Sequence, residues 1–319
     1  MNPDASSLQR AAQLLEEGRT MEAVVIITGL ARRGDADALF MLAEMRWRGG
    51  HVPQEVVEGR GFFQRAGEAG HFSGAISYTN LLASGIAGPR DWRTALQRLA
   101  VEARGDDARR RSLQVLERMT LTGEGDPVAL PAGERLSTVL DVTLFRSAFT
   151  ALECDYLREL VDGSFRPSFV FDAKGAPTRD TTRTSEECGI PWLMEDPAVH
   201  AVNRRLAALT GTSAEQGEPM LILRYEPGQQ YRPHTDYVGL EHERVLTALV
   251  YLNEGYGGGE TSFPKAGVTV KGRQGDVLVF RNTTVDGRPN PLSVHAGLPV
   301  TSGTKYLATR WIRRFRHVP

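Results

Sequence analysis

The chain has 319 residues, 41% of them hydrophobic and 24% charged, which is typical of a soluble globular protein with one large or two ordinary domains. The net charge of −1 gives no field that would attract nucleic acid or a membrane surface, so neither is an expected partner. No stretch reaches about 18 uninterrupted apolar residues, and the start lacks the pattern of a secretory signal. Cys154 and Cys188 could pair, but two cysteines favour reduced thiols in a cytoplasmic protein.

Residues 1–120 have the pattern of paired helices with a regular period. Gly34, Gly70 and Gly105 each close one unit, at spacings of 36 and 35 residues. A period of this size is typical of a helical solenoid, in which neighbouring pairs bury each other's apolar faces. The segments "RGGHVPQE" and "AGEAGH" resemble degenerate Sel1-like repeats, which are relatives of tetratricopeptide repeats. A plain helical domain with accidental spacing is the alternative.

A linker is predicted over residues 121–135, where glycine and proline are frequent and large apolar residues are few. The second domain then covers 136–319. Two helices are predicted in it: "TALECDYLRELVDG", which stops at Gly163, and "DPAVHAVNRRLAALTG", which has Asp196 as its N-cap.

Short β segments follow from Glu218 onward and are separated by glycines. They read "PMLILRY", "LTALVYLN", "ETSFP", "VTVKG", "DVLVFRN", "LSVHAG" and "KYLATRWIRRF". Many short strands with regular turns indicate a sandwich or barrel of the jelly-roll kind. The sequence therefore predicts an α+β protein of two domains, an N-terminal α-solenoid and a C-terminal jelly roll with flanking helices.

A candidate metal site lies in "RYEPGQQYRPHTDYV". On an extended strand, His234 and Asp236 point to the same face. A third ligand has to come from a strand that is close in space, and His295 in "PLSVHAGLPV" is the candidate. Two histidines and one carboxylate leave positions open on an octahedral metal, as in non-haem iron(II) oxygenases. His242 is a rival ligand nearby, but its polar surroundings, "LEHER", favour a solvated loop.

In 2-oxoglutarate-dependent enzymes, the cosubstrate fills such open positions through its keto acid end, and its far carboxylate requires a buried cation. Lys305 lies ten residues after His295 and is one of only four lysines in the chain. Its compact ammonium group suits a single carboxylate at the bottom of a pocket. The polar loop 282–293, just before His295, is predicted to act as a lid over this pocket.

From about residue 144 to 315, the chain resembles the prolyl 4-hydroxylase family of Fe(II)/2-oxoglutarate dioxygenases. The matching segments include "LILRYEPGQQYRPHTD", "RVLTALVYLNEGYGGGETSFP", "VKGRQGDVLVFRN" and "SVHAGLPVTSGTKYLATRWIR". The resemblance implies a double-stranded β-helix with His234, Asp236 and His295 as iron ligands. It also implies three residues that bind 2-oxoglutarate (Lys305, Tyr225 and Tyr251) and three that line the substrate mouth (Tyr231, Arg244 and Trp311). Arg183 in "TRTS" also fits the pattern, as either a substrate contact or a structural ion pair.

The activity that the resemblance implies is hydroxylation of an unactivated C–H bond, with release of succinate and CO2. Fe(II), 2-oxoglutarate and O2 would be required, and ascorbate is left open. The implied substrate is a prolyl residue in a peptide or protein, which the helical repeats could recruit, and a homodimer is also left open. Two alternatives remain: a hydroxylase of a free amino acid or small natural product, and a non-catalytic solenoid adaptor with a sensor domain.

Overall fold

The computed structural model of the protein describes residues 3–171, 177–178, 182–239, 243–317 and 319. The chain divides into two compact units. The first comprises residues up to 113 together with 192–200 and 319, and the second comprises 114–191 and 201–318. The domain boundaries placed at 120 and 135 stay a prediction.

Helices occupy the N-terminal part of the described chain. They are α1 (Pro3–Glu16), α2 (Thr20–Arg32), α3 (Ala36–Arg48), α4 (Val56–Glu68), α5 (Phe72–Ser84), α6 (Trp92–Glu102) and α7 (Asp107–Leu116). A buried cluster that includes Leu14, Ile27, Leu30 and Leu39 joins the first helices of this series. Burial of these apolar faces stabilises helices of this length, which would be marginal in isolation.

Each of the periodic glycines, Gly34, Gly70 and Gly105, is followed by a polar residue and then by the first residue of a helix. Asp35 accepts a hydrogen bond from the backbone of Ala38 at 2.8 Å, and His71 Nδ1 accepts one from the backbone of Gly74 at 3.0 Å. Asp106, after the third glycine, accepts a hydrogen bond from the backbone N–H of Arg109 at 2.8 Å. The polar residue after each glycine therefore satisfies a backbone donor that the helix leaves free.

The second unit contains short strands and two helices. The helices are α8 (Ala151–Glu159) and α9 (Pro197–Thr210), although residues 197–200 at the start of α9 belong to the first unit. The strands are β1 (Gly133–Arg135), β2 (Val142–Phe145), β3 (Arg166–Pro167), β4 (Val170–Phe171), β5 (Pro177–Thr178), β6 (Glu186–Ile190), β7 (Met220–Tyr225), β8 (Tyr231–His234), β9 (Arg244–Tyr251), β10 (Gly257–Gly258), β11 (Thr261–Phe263), β12 (Val268–Val270), β13 (Val277–Arg281), β14 (His295–Gly297), β15 (Val300–Ser302) and β16 (Lys305–Arg313).

The larger strands form an antiparallel sandwich. One sheet has eight strands in the order β1-β2-β13-β9-β16-β7-β6-β3, and the other has four in the order β12-β11-β14-β8. Leu223, Leu278 and Leu307 from the first sheet share one buried cluster with Phe263 and Val270 from the second. This shared core holds the two sheets together, because both bury their apolar faces in it.

The structure confirms the predicted helices and the seven predicted strands from 218 onward. Thr150 caps α8, where its hydroxyl accepts the backbone N–H of Glu153 at 3.3 Å, and Asp196 caps α9 through the N–H of Val199 at 2.9 Å. Several shorter strands were not predicted, including β1, which lies within the predicted linker, and the same is true of β2 and β6. The segment that forms β6, "EECGI", lacks the alternating apolar pattern by which a strand is recognised.

Two expectations from composition can be compared with the structure. Within the described residues, no helix combines the length and the apolarity that crossing a bilayer requires. Cys154 is buried and Cys188 is partly exposed, and the two do not pair. Burial, with the acidic neighbours Glu153 and Asp155, raises the pKa of Cys154 to about 12, so this residue stays a thiol. The cytoplasmic location stays a prediction.

The shared core should dominate the stability of the second unit. Leu278 on β13 is 0% exposed, whereas Leu130 in a loop is 43% exposed. We expect Leu278→Ala to lower the free energy of unfolding by about 2–5 kcal/mol, because it leaves a cavity in the core. Leu130→Ala should change it by no more than about 0.5 kcal/mol. Urea denaturation of both variants measures the difference, and equal effects would contradict this role of the core.

Candidate metal centre and its pocket

Pairing of two short strands brings the predicted metal ligands together. In the four-stranded sheet, β14 lies antiparallel to β8 and places His295 opposite His234. Asp236 follows two residues after His234, and the ligand atoms of the three side chains all lie within 4.8 Å of one another. Asp236 carboxylate oxygens lie 3.7 Å from the Nε2 atom of each imidazole. Among the described residues, this is the one cluster with the composition and spacing of a metal site.

Backbone carbonyls fix the orientation of both imidazoles. His234 Nδ1 lies 2.9 Å from the carbonyl oxygen of Arg232, and His295 Nδ1 lies 3.0 Å from that of Ser293. A carbonyl oxygen can only accept a hydrogen bond, so each Nδ1 carries the proton. The lone pair of each Nε2 is therefore free to bind a metal.

The charges of the cluster also suit a metal. Burial and the neighbouring His295 lower the pKa of His234 to about 3, although Asp236 opposes the shift. Burial alone would raise the pKa of Asp236, but electrostatic interaction with His295 and His234 and a hydrogen bond from Thr247 hold it below its usual value. Neutral imidazole and ionised carboxylate are the forms that ligate metals. Two nitrogens and one carboxylate oxygen on one side fit Fe(II) with open positions.

Lys305 supplies a buried cation behind this cluster. It is 1% exposed and begins β16, where it lies opposite Tyr225 of β7. Its Nζ donates to the carbonyl oxygen of Gly259 at 2.7 Å, and among the described residues it forms no ion pair. Gly259 has a φ of +70°, and a Cβ there would lie 3.2 Å from Lys305 Cδ. Burial lowers the pKa of Lys305 to about 8, with Glu260 opposing this shift and Lys271 adding to it.

A pocket joins the cluster to Lys305. Of the predicted site residues, its lining contains the three ligands together with Lys305, Tyr225, Tyr231 and Trp311. The sequence analysis did not name Leu223, Leu249, Leu307, Thr261 or Thr309, which also line it. Two of these residues could have been predicted. Leu307 and Thr309 lie two and four residues after Lys305 on β16, so their side chains point to the same face of the strand as those of Lys305 and Trp311.

The two predicted tyrosines have different positions. Tyr225 lines the pocket, and its ring centroid lies 5.3 Å from Lys305 Nζ. Tyr251 is fully buried and does not line the pocket in the part of the chain described. Its hydroxyl donates to Thr261 Oγ1 at 3.0 Å, and Thr261 is part of the lining. Tyr251 therefore supports the pocket wall through Thr261.

Arg244 lies behind Trp311 and is absent from the described pocket lining. Its guanidinium binds both carboxylate oxygens of Glu218, at 2.7 and 2.8 Å, and its Cζ lies 3.7 Å from the centroid of the Trp311 ring. Arg313 donates to the same carboxylate at 2.8 Å. Burial alone would raise the pKa of Glu218, but the hydrogen bond from Arg244 and both arginine charges lower it. The arrangement fixes Trp311 at the pocket by a cation–π contact.

Tyr231 and Arg183 form a second stack of side chains, which lies against the ligand His234. The Tyr231 ring lies parallel to the imidazole of His234, with centroids 3.4 Å apart and an interplanar angle of 11°. Arg183 Cζ lies 5.1 Å from the Tyr231 centroid, and its Nη2 pairs with Glu187 at 2.8 Å. Arg183 thus forms an ion pair and also lines the pocket, so both of its predicted roles are compatible with the structure. His242, the rival ligand, lies outside the described residues.

Comparisons with known proteins support an Fe(II) site at this cluster. The family model for the 2OG-Fe(II) oxygenase superfamily matches residues 220–313. Prolyl 4-hydroxylase 1 of Arabidopsis thaliana is 36% identical over 183 residues, which are 51% of this chain and 65% of that protein. Probable prolyl 4-hydroxylase 6 of the same plant is 36% identical over 194 residues, with 53% and 67% covered. The chain thus spans less than two thirds of the first of these relatives.

Among solved structures, the chain is similar to a viral collagen prolyl hydroxylase from Paramecium bursaria Chlorella virus-1, crystallised as a 2OG complex. The sequence identity is 26% and the TM-score is 0.45. The similarity covers 55% of this chain and 96% of the viral one.

Loss of the Glu218 carboxylate should destabilise the wall that carries Trp311. We expect Glu218→Ala to lower the free energy of unfolding by about 2–3 kcal/mol, because two partly buried guanidinium groups lose their partner. The tryptophan fluorescence should also shift, since Arg244 no longer lies fixed over the Trp311 ring. Urea denaturation and emission spectra measure both effects. Glu254→Ala, at an exposed position, is the matched control, and the same losses in that variant would contradict the assignment.

Proposed function

We propose, because this chain belongs to the prolyl 4-hydroxylase family, that it is an Fe(II)- and 2-oxoglutarate-dependent dioxygenase that hydroxylates a prolyl residue in a peptide or protein. The observation that carries this proposal is the convergence of His234, Asp236 and His295 on one pocket that also contains Lys305. Fold membership alone would not specify chemistry, so the proposal rests on these side chains.

The ligand assignment follows from the protonation and orientation of each group. His234 and His295 would bind Fe(II) through Nε2, and Asp236 through its carboxylate. Lys305 would bind the distal carboxylate of 2-oxoglutarate, because its buried ammonium group has donors left after the bond to Gly259. Tyr225 lies beside that position and would contact the same cosubstrate.

The bound iron, 2-oxoglutarate and O2 would together supply the oxidising power for C–H hydroxylation, with release of succinate and CO2. The protein's own contribution is binding, orientation and exclusion of water. Leu223, Leu249 and Leu307 provide an apolar wall beside the ligands. Neither imidazole would act as a general base, since the Nε2 lone pair that could accept a proton is the one that would bind the iron. Ascorbate as an accessory reductant stays part of the proposal.

The aromatic residues at the mouth of the pocket support a prolyl substrate. Tyr231 and Trp311 both line it, and each is held in place by a neighbour, Arg183 on one side and Arg244 on the other. Flat rigid rings suit a small non-polar ring with little loss of conformational entropy. A free amino acid or small natural product would use the same chemistry and is the second candidate.

The finer fold assignment belongs to the same proposal. We infer that the sandwich is a double-stranded β-helix, in which the four-stranded sheet carries the ligands and the eight-stranded sheet carries Lys305. The caps at Asp35, His71 and Asp106 support Sel1-like repeats in residues 1–120, with a linker at 121–135 and the dioxygenase domain from 136 to 319. Such repeats would recruit a peptide substrate or form a homodimer, because solenoids present extended binding surfaces.

Turnover and product mass test the proposed activity. Iron-loaded protein incubated with 2-oxoglutarate, O2 and proline-containing peptides should form succinate and add one oxygen to the peptide. His234→Ala should abolish both signals, because one of three metal ligands is lost. The exposed His51→Ala is the matched control and should keep them. Equal turnover by wild type and His234→Ala would contradict the metal assignment, whereas silence of both with every substrate would favour the adaptor alternative.

The titration of Lys305 predicts how cosubstrate binding depends on pH. Because the pKa is lowered to about 8, the ammonium form that a carboxylate needs is lost as the pH rises through that value. The dissociation constant of 2-oxoglutarate should be flat below about pH 7 and should rise by up to about tenfold per unit above pH 8. Calorimetry on metal-loaded protein between pH 6.5 and about 9.5 measures it.

Two variants at the same position serve as controls. Lys305→Met should bind 2-oxoglutarate weakly at every pH, because the cation is absent. Lys305→Arg stays charged over the whole range, so any binding that it retains should not vary with pH. A wild-type profile as flat as that of Lys305→Arg would show that Lys305 does not hold the carboxylate.

A further inference from the structure

A buried hydroxyl lies behind the carboxylate ligand. Thr247 on β9 is 0% exposed, and its Oγ1 donates to Asp236 Oδ2 at 2.7 Å. The same Oγ1 accepts a hydrogen bond from Asn282 Nδ2 at 2.9 Å. Because Thr247 has one hydroxyl proton, the donation from Asn282 directs that proton to Asp236.

The direction of this relay follows from the charge of its last member. An ionised Asp236 can only accept hydrogen bonds, so Thr247 has to donate and Asn282 has to present its NH2 group. The opposite orientation of the amide would draw the hydroxyl proton away from Asp236. Asn282 is also 0% exposed, and among the described residues its Oδ1 has no hydrogen-bond partner. The amide therefore keeps the orientation that serves Asp236, although its own oxygen stays unsatisfied.

The backbone of Asn282 leads to a second ligand. Its carbonyl oxygen accepts the N–H of Asn290 at 2.9 Å, which closes the loop between them. The carbonyl of Asn290 in turn accepts the hydroxyl of Ser293 at 2.8 Å and its backbone N–H at 3.0 Å. Ser293 then offers its own carbonyl to His295 Nδ1 at 3.0 Å. These bonds fix the carbonyl that orients His295.

We propose that the Asn282 side chain is a positioning group for the metal ligand Asp236, acting through Thr247, while its backbone helps to fix the Ser293 carbonyl beside His295. This inference rests on the proposed iron site, since it concerns how the ligands of that site are held. Hydrogen-bonded groups behind the ligands orient them, and removing one typically weakens metal binding by about 10–100-fold. Asp236 Oδ2 is held by Thr247, which leaves Oδ1 free for the ion.

Metal binding without turnover tests the relay. Co(II) is titrated into the full chain in the absence of 2-oxoglutarate, and its affinity and d–d absorption are recorded. Thr247→Val keeps the shape of the side chain but removes the hydroxyl, so we expect Co(II) to bind about 10–100-fold more weakly. Thr247→Ser keeps the hydroxyl and should bind within a few-fold of wild type.

Two further variants complete the design. Asn282→Asp can accept the Thr247 proton, which reverses the relay and should weaken Co(II) binding as much as Thr247→Val does. Thr143→Val removes a hydroxyl elsewhere in the same sheet and should leave binding unchanged. Thermal midpoints of all variants report whether each one folds. Thr247→Ser loses a methyl group and keeps the hydroxyl, whereas Thr247→Val keeps the shape and loses the hydroxyl, so weaker Co(II) binding by the valine variant alone reports a role of the hydroxyl.

The failures of the two proposals can be told apart. Wild-type affinity and spectrum in Thr247→Val, or equal weakening in Thr247→Ser and Thr247→Val, would overturn the relay while the metal site stands. No Co(II) binding by wild type, or unchanged binding by His295→Ala, would overturn the metal site and the relay together.

Discussion

The antiparallel register of β8 and β14 is the constraint on which the site depends. It places His295 opposite His234, so two residues that are distant in the chain present their imidazoles to one point. A slip of one residue would turn His295 to the other face of the sheet, because side chains alternate along a strand. The short sheet therefore has to be held firmly, and the core that it shares with the eight-stranded sheet holds it.

Burial gives the pocket its chemical character. Burial lowers the pKa of His234 and keeps its imidazole neutral, and it also destabilises the charged form of Lys305. The first effect favours binding of a cation, and the second favours binding of an anion. A neutral imidazole has a lone pair that can bind a metal cation, whereas a buried ammonium group is stabilised by a nearby anion. A metal ion would offset the burial of the Asp236 carboxylate and a carboxylate ligand would offset that of the Lys305 ammonium group, so one pocket can suit both.

Much of the site could be predicted because its signals are local in the sequence. His234 and Asp236 are two residues apart, Lys305 is a rare lysine at the start of a strand, and the strands alternate regularly. Thr247 and Asn282 gave no such signal. Thr247 looks like any β-branched strand residue, and its role appears only when β9 and the segment after β13 lie beside Asp236. Arg244 was expected at the substrate mouth, but Glu218 engages its charge from 26 residues away.

The loop 282–293 shows why composition alone could not separate a lid from a scaffold. Its polar turn residues suggested a mobile segment, and Val285 at its tip is indeed fully exposed. Its two ends, however, are 0% exposed at Asn282 and Ser293, and hydrogen bonds through Asn290 connect them. Asparagine and serine favour loops because their side chains bond to nearby backbone, and here those same bonds place a carbonyl against His295. A polar loop beside a buried ligand can therefore be rigid where it serves the metal site and exposed only at its tip.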